Sequence, residues 1–420
     1  VVKRILLTTT GSLGDLHPIL AIGLGLRERG HVVVIATSRT YRDKILQTGL
    51  EFAPMGPHWT PTPEMTREVF DPIRGPERLV RQYLYPGLAD AYSEVTAAVR
   101  GCDLIVTHPI TFAAQIAAEK LQMPWVSTVT APLSLPSGYD PPVYPPAPAL
   151  AKLRVLGPRF NRALLKFGQL AIRGWSKPVR EFRAGLGLPR REDPLFDGQH
   201  SPERVLAMFS KVMARPQPDW PQQTSVIGFP FYDQAEHGQK LDAELARFLD
   251  NGPPPVVFTL GSSAVFDAGK FYQESVTAVR HLGRRAVLLV GTNSIASPLP
   301  EGVAAFRYAP YSQILPRAAC VVHQGGVGTC GQTLAAAKPM LVMPYAFDQY
   351  DNASRLERAG VARWIPRKKY TAARAAAELD RLLGDPHYAK NAAQVARVVA
   401  EEDAVKAACR AIEECAGVSR

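Results

Sequence analysis

The chain has 420 residues, 46% hydrophobic and 21% charged, with a formal net charge of +11. At ~150 residues per domain this suggests two or three domains, and two of about 200 residues would each bury a sizeable core. No run of 18 apolar residues occurs, which argues against a membrane-spanning helix. The five cysteines are odd in number and scattered, which argues against a disulfide framework and a zinc site and for reduced thiols in a cytoplasmic protein. The first residues, Val1-Val2-Lys3-Arg4-Ile5-Leu6-Leu7, lack the features of a secretory signal.

In chain order, residues 4–9 read as a short β-prone run, Thr10-Gly11-Ser12-Leu13-Gly14-Asp15 as a glycine loop, and Pro18 as the opening of a helix over 19–29. Pro suits a first helical position. Gly30 closes that helix and residues 32–36 are β-branched. This βαβ unit implies a parallel sheet. Further strands are expected at 104–107 and 125–130, with a helix at 112–121 between them. Residues 131–149 hold seven prolines and read as a functional loop or flap. From residue 151 to 184 nine Lys/Arg face one acidic residue. The 226–239 stretch reads as an interdomain boundary and 241–249 as a helix, before a sharp break at Asn251-Gly252-Pro253-Pro254-Pro255. A second series of strands is expected at 256–260, 286–290, 320–322 and 340–343. Strands alternating with helices in both halves argue for two doubly wound α/β domains.

The most informative run is His323-Gln324-Gly325-Gly326-Val327-Gly328-Thr329-Cys330-Gly331-Gln332, followed by Pro344 and by Asp348-Gln349-Tyr350-Asp351-Asn352-Ala353. A strand ends at His323, a glycine turn follows, and a helix opens. Bare backbone N–H groups at a helix N-terminus suit a diphosphate, and glycine lets that backbone approach closely. The constellation resembles the nucleotide-sugar-dependent glycosyltransferases of the GT-B fold, in the group of plant natural-product, sterol and antibiotic enzymes. The resemblance covers nearly the whole chain. It implies two Rossmann-like domains with parallel sheets facing across a deep cleft: an acceptor domain at 1–228, a donor domain at 229–390, and a C-terminal helix within 391–420 packing back on the first.

The resemblance also implies roles. His323 and the backbone of Gly325, Gly326, Val327, Gly328 and Thr329 would hold the donor diphosphate, with Ser262 and Ser263 in a second phosphate loop. Asp348 and Gln349 would bind the sugar hydroxyls. Tyr308 and Ala309 would take the base, although the family typically has Trp at the Tyr308 position and Gln at the Tyr311 position. Gln332 stands near a Glu that many relatives use for the ribose. UDP- and dTDP-sugars both remain open as donors, with no cofactor and no metal required.

The reaction needs a base, because a neutral hydroxyl must lose its proton as it attacks. By resemblance Asp15 is that base or part of it. His108, at the end of the 104–107 strand, is a candidate partner in a reversed dyad in which His108 takes the proton and Asp15 orients it. His17, Phe112 and Tyr139 are candidate acceptor contacts, among loop aromatics that also include Trp59, Phe70, Tyr83 and Tyr144. An aromatic-lined cleft suits an apolar hydroxyl acceptor such as a phenol, flavonoid, sterol, polyketide or lipid. The basic segment 151–191 reads as a solvated helical face or as a peripheral membrane contact; no nucleic-acid partner is expected. A Rossmann oxidoreductase is a poor fit, because Gly11-Ser12-Leu13-Gly14-Asp15 lacks the G-x-G-x-x-G fingerprint and Arg39 follows the second strand. A GT-B epimerase, a lipid or cell-wall transferase and a non-catalytic sugar-nucleotide binder are the remaining alternatives.

Overall fold

A computed structural model describes residues 1–59, 62–232, 241–295 and 298–418. The 226–239 connector read from the sequence therefore lies in part, at 233–239, outside the described residues. The first half forms a seven-stranded sheet from β1 (Arg4–Thr8), β2 (Val32–Thr37), β3 (Glu51–Pro54), β4 (Leu104–Thr107), β5 (Trp125–Val129), β6 (Arg204–Ala207) and β7 (Thr224–Val226). Its order is β3-β2-β1-β4-β5-β6-β7, and every pairing is parallel. The second half forms a six-stranded parallel sheet from β8 (Val256–Thr259), β9 (Ala286–Leu289), β10 (Val303–Phe306), β11 (Cys320–His323), β12 (Met340–Val342) and β13 (Ala362–Trp364), in the order β10-β9-β8-β11-β12-β13. The central strands are buried: β4, β5, β8 and β11 along their length and β1 from Ile5 onward, each with two or more of Val, Ile and Leu, as strands covered on both faces require.

Five strands escaped the sequence pattern: β3, β6, β7, β10 and β13. Each has three or four residues; four of them are the edge strands and β6 lies beside one, where neither alternation nor a long apolar run develops. The first helix also differs from the expectation. It runs from Leu13 to Glu28 and carries Pro18 inside it. Ser12, not the proline, sets the start. Its side chain caps the Gly14 N–H while the Asp15 carboxylate returns to the Ser12 N–H, so both halves of a capping box are present. That reciprocal cap holds the first turn ahead of a proline that cannot donate to Gly14.

The last helix of the described chain, Ala404–Cys415, returns to the first half and lies against its first helix. Ala408, Cys409, Ala411 and Ile412 are buried in one core with Ile5, Leu16, Ile19 and Ile22. Arg29 and His31 both meet Glu413, at 2.6 and 3.0 Å. Gly25 makes the close approach possible, since a Cβ there would run into Val405 and sit 3.1 Å from Cys409 Sγ. Replacing Gly25 by Val should push the two helices apart and cost about 1–3 kcal/mol, read as a lowered thermal midpoint; an unchanged midpoint would mean the last helix is not integral to the N-terminal core.

Candidate active site

In each sheet the strand order reverses direction once at an internal junction: between β1 and β4 in the first, between β8 and β11 in the second. Loops leaving adjacent strands there diverge to opposite faces and open a crevice at the carboxyl ends, where open α/β sheets bind ligands. The sequence-derived site residues sit largely at these two junctions.

At the first junction, β1 runs into Gly11, whose φ is 121° and whose extra Cβ would collide with Asp15 Oδ2. Glycine therefore serves both the left-handed backbone and the room for the carboxylate. Asp15 Oδ2 accepts from the Ser12 N–H at 2.8 Å and from Ser12 Oγ at 3.2 Å. Oδ1 lies 3.3 Å from His108 Nε2. The imidazole follows β4 and its backbone is pinned by Thr111, whose Oγ1 takes the His108 N–H at 2.9 Å and donates to the His108 carbonyl at 2.8 Å. The side chain of His108 is 4% exposed and that of Asp15 31%. Neither nitrogen of the His108 ring completes a hydrogen bond. The pair is thus at ion-pair distance, with the carboxylate as the member facing outward.

At the second junction, β11 ends in His323, fully buried, with Nδ1 accepting the Gly325 N–H at 3.0 Å and Nε2 3.3 Å from Met340 Sδ. Burial pushes this imidazole down to about 3, so it is neutral. Gly325 turns with φ 91°. The helix Val327–Ala335 then starts with Gly326 as N-cap, no side-chain cap and no acidic residue in its first turn, which leaves its N-terminal N–H groups for an anion. The facing loop after β8 puts Gly261 at φ 66°, Ser262 exposed and Ser263 half-buried.

The Asp348 loop is tied to that glycine turn by a residue the sequence reading did not single out. Asn352 Nδ2 donates to Asp348 Oδ2 at 2.7 Å and to the Gly325 carbonyl at 2.9 Å. Gln349 Oε1 accepts from the N–H groups of Tyr345 at 2.8 Å and Ala346 at 3.4 Å. Phe347, just before Asp348, is one of three non-glycine residues in the described chain with positive φ, at 53°, a strained conformation of the kind that gathers at functional sites. Burial chiefly, with the Asn352 hydrogen bond opposing it and the negative charge of Asp15 adding to it, pushes the Asp348 carboxyl up to about 7. Asp15 belongs to the first half, on its first helix, and Asp348 to the second.

The other expected contacts are distributed unevenly. Tyr308 is 50% exposed, whereas Ala309 is buried. Tyr311 turns inward, its hydroxyl 2.8 Å from Thr259 Oγ1. Gln332 is half-buried on the Val327–Ala335 helix. Tyr139 is exposed, with the Arg162 guanidinium 5.8 Å from its ring centre. His17 has its ring 5.1 Å from Tyr232. Phe112 is 3% exposed and packs 5.7 Å from Tyr85 in the N-terminal core, so any effect it has on an acceptor passes through that packing. Phe70, read only as an N-terminal loop aromatic, crosses to the second half and meets Tyr345 and Phe347 edge-on at 6.1 and 5.6 Å. Gln324 is 93% buried between the glycines of both loops, with its Oε1 unpartnered; a Cβ on Gly261 or on Gly326 would strike its amide. Its position inside the glycine motif was the only sequence signal for it. Among the described residues no group of three or more His, Cys, Asp or Glu is arranged to hold a metal ion.

Residues 5–135 match the model of the glycosyltransferase family 28 N-terminal domain, and residues 282–413 match the erythromycin biosynthesis protein CIII-like C-terminal domain. The chain is 33% identical to an O-mycaminosyltylonolide 6-deoxyallosyltransferase of Streptomyces fradiae, over 98% of this chain and 97% of the relative. Its fold resembles that of the solved glycotransferase of kitacinnamycin, with a TM-score of 0.75 at 21% identity over 99% of both chains. It also resembles the spinosyn rhamnosyltransferase SpnG solved with thymidine diphosphate, with a TM-score of 0.70 at 18% identity over 98% of this chain and 100% of that one. Two parallel sheets with their loops converging at paired switch points, an anion-ready helix N-terminus, and this full-length relationship lead to one conclusion: the chain belongs to the nucleotide-sugar-dependent glycosyltransferases of the GT-B fold.

Proposed function

We propose that the protein transfers a hexose or 6-deoxyhexose from a dTDP-sugar, or the UDP-sugar, to a hydroxyl of an apolar small molecule, with a polyketide-derived acceptor favoured. The observation that carries the mechanism is the Asp15–His108 pair, 3.3 Å apart, at the β1/β4 switch point. The acceptor oxygen attacks the anomeric carbon opposite the diphosphate, the carbon–oxygen bond to the diphosphate breaks, and the configuration inverts. The hydroxyl proton enters the dyad at Asp15, its more exposed member, and His108 stabilises it from behind. This takes the reading in which Asp15 is the base in preference to the reversed dyad in which His108 meets the proton first. The leaving diphosphate spreads its charge over the N–H groups opening the Val327–Ala335 helix, while Asp348 and Gln349 hold the sugar and Tyr308 stacks on the base. The preference for dTDP and for a polyketide rests on the thymidine diphosphate bound to one structural neighbour and on the name of the Streptomyces relative.

Incubation with dTDP-glucose, dTDP-rhamnose or UDP-glucose and a pool of polyketides, phenols and sterols, read by mass spectrometry, tests this directly. One added hexose or deoxyhexose is the expected product. Asp15→Asn should lower kcat by about 10³-fold and His108→Ala by about 10²-fold, within the range of general-base contributions. Near-full activity of His108→Ala would remove the imidazole from the mechanism.

Asp348 supplies a pH signature. Its carboxyl is raised from ~4 when unfolded to about 7 when folded, so the folded chain holds that proton more tightly. Stability from this group is retained at low pH and is lost as pH rises from about 4 to about 7. The thermal midpoint of Asp348→Asn, compared with wild type, should therefore gain progressively over that window and stay level above it. A constant difference from pH 4 to 8 would show that Asp348 titrates normally.

A second reading concerns the basic segment. We infer a peripheral contact with anionic membrane surfaces from the helix Pro158–Ile172, whose one buried residue is Asn161. Phe160, Phe167 and Leu170 are 43, 70 and 64% exposed beside Arg159, Arg162 and Lys166, a pairing of apolar and basic stripes that suits such a surface. Phosphatidylserine vesicles should sediment the wild type and lose it when those three basic residues become Glu; equal recovery of both in the supernatant would exclude the contact.

A further inference from the structure

The helix Gln349–Arg358 follows directly on Asp348 and carries, two turns further on, a buried ion network that reaches out of its own half. Arg355 is 3% exposed and Asp351 fully buried. Arg355 Nε lies 2.7 Å from Asp351 Oδ2. The other oxygen of Asp351 accepts the Val143 N–H at 3.0 Å. Arg355 Nη1 binds Asp140 Oδ2 and also donates to the Met213 carbonyl at 3.3 Å. Asp140 Oδ1 takes Arg358 Nη2 at 3.0 Å. Asp140 and Val143 lie in the proline-rich 131–149 segment, which leaves β5 at the same sheet edge as Asp15 and His108 and presents the exposed Tyr139.

Adhesion alone does not explain two buried charges here. An apolar pair of similar volume would hold the surfaces together as well or better, because desolvation offsets most of the attraction. An ion pair with shared hydrogen bonds is directional, however, and fixes which turn of the helix meets which point of the loop. A reaction between two substrates bound to different halves needs that register, since a misplacement of ~1 Å costs about 10²-fold in rate. We propose that Arg355 is a positioning residue: through Asp351 and Asp140 it holds the proline-rich acceptor-side loop in register with Asp348 and Gln349, and transmits occupancy of the donor site to that loop. This rests on the donor and acceptor assignment above.

Hydrogen exchange of the full-length protein, read by mass spectrometry with and without dTDP or UDP, is the test. Either nucleotide should slow exchange of residues 137–146 in the wild type. Asp140→Ala should bind the same nucleotide with a Kd within about threefold of wild type, measured by calorimetry, yet show no nucleotide effect on 137–146. Asp140→Glu should restore it. Asp140→Asn, which keeps shape without charge, serves if the alanine variant is unstable. With any donor and acceptor pair that turns over, Asp140→Ala should lower kcat at least tenfold with little change in donor KM. A loop indifferent to bound nucleotide in the wild type, or still responsive in Asp140→Ala and Asp140→Asn, overturns the proposal. Failure of both nucleotides to bind the wild type would strike the donor assignment instead.

Discussion

Strand direction is the constraint from which the site follows. Every pairing in both sheets is parallel, so all the carboxyl ends of a sheet emerge at one edge, and the loops there are the ones free to vary. Parallel pairing demands a crossover after each strand, and the change of crossover direction at β1/β4 and at β8/β11 leaves two crevices. Asp15 and His108 occupy one; the Gly261 turn, Gln324 and the Gly325 turn occupy the other. Had either sheet been antiparallel, these residues would have been split between opposite edges.

Much of this was legible in the sequence because the chemistry is local. A glycine turn between a β-branched run and a helix announces an anion site through the backbone alone, and the structure places Gly325 at φ 91° before an uncapped helix. The Asp348-Gln349 pair drew attention through the family resemblance of the motif it belongs to. The contact between Asp15 and His108 joins residues 93 apart, and no periodicity reports it; the resemblance suggested the pair, and the pairing of β1 with β4 brings the two side chains to 3.3 Å. The capping role of Asp15 was missed for a related reason. Pro18 looked like a helix start, and the reciprocal Ser12 and Asp15 bonds that carry the helix past it require atomic geometry to recognise.

The residues named in the sequence motifs without a role of their own share one property: they act by joining segments. Asn352 links two loops of the donor half, Gln324 fills the space between two glycine turns, and Phe70 spans from one half to the other. Tyr311 shows the converse. It stands where the resemblance implies a Gln, and its hydroxyl is spent on Thr259 inside the fold. In this chain the Tyr311 hydroxyl is thus engaged within the fold.

The last helix sets an order on synthesis. Domains usually fold as the ribosome delivers them, the N-terminal one first. Here the first sheet cannot complete its core until Ala408, Cys409 and Ile412 arrive from the far end of the chain. Until then Ile19, Ile22 and Gly25 present an apolar groove to the cell, while the entire second half is being made. The nascent chain must therefore keep an unfinished N-terminal domain soluble through some 180 further residues, measured from the end of β7 to the start of the last helix, and that core becomes whole only when the last helix docks on the first.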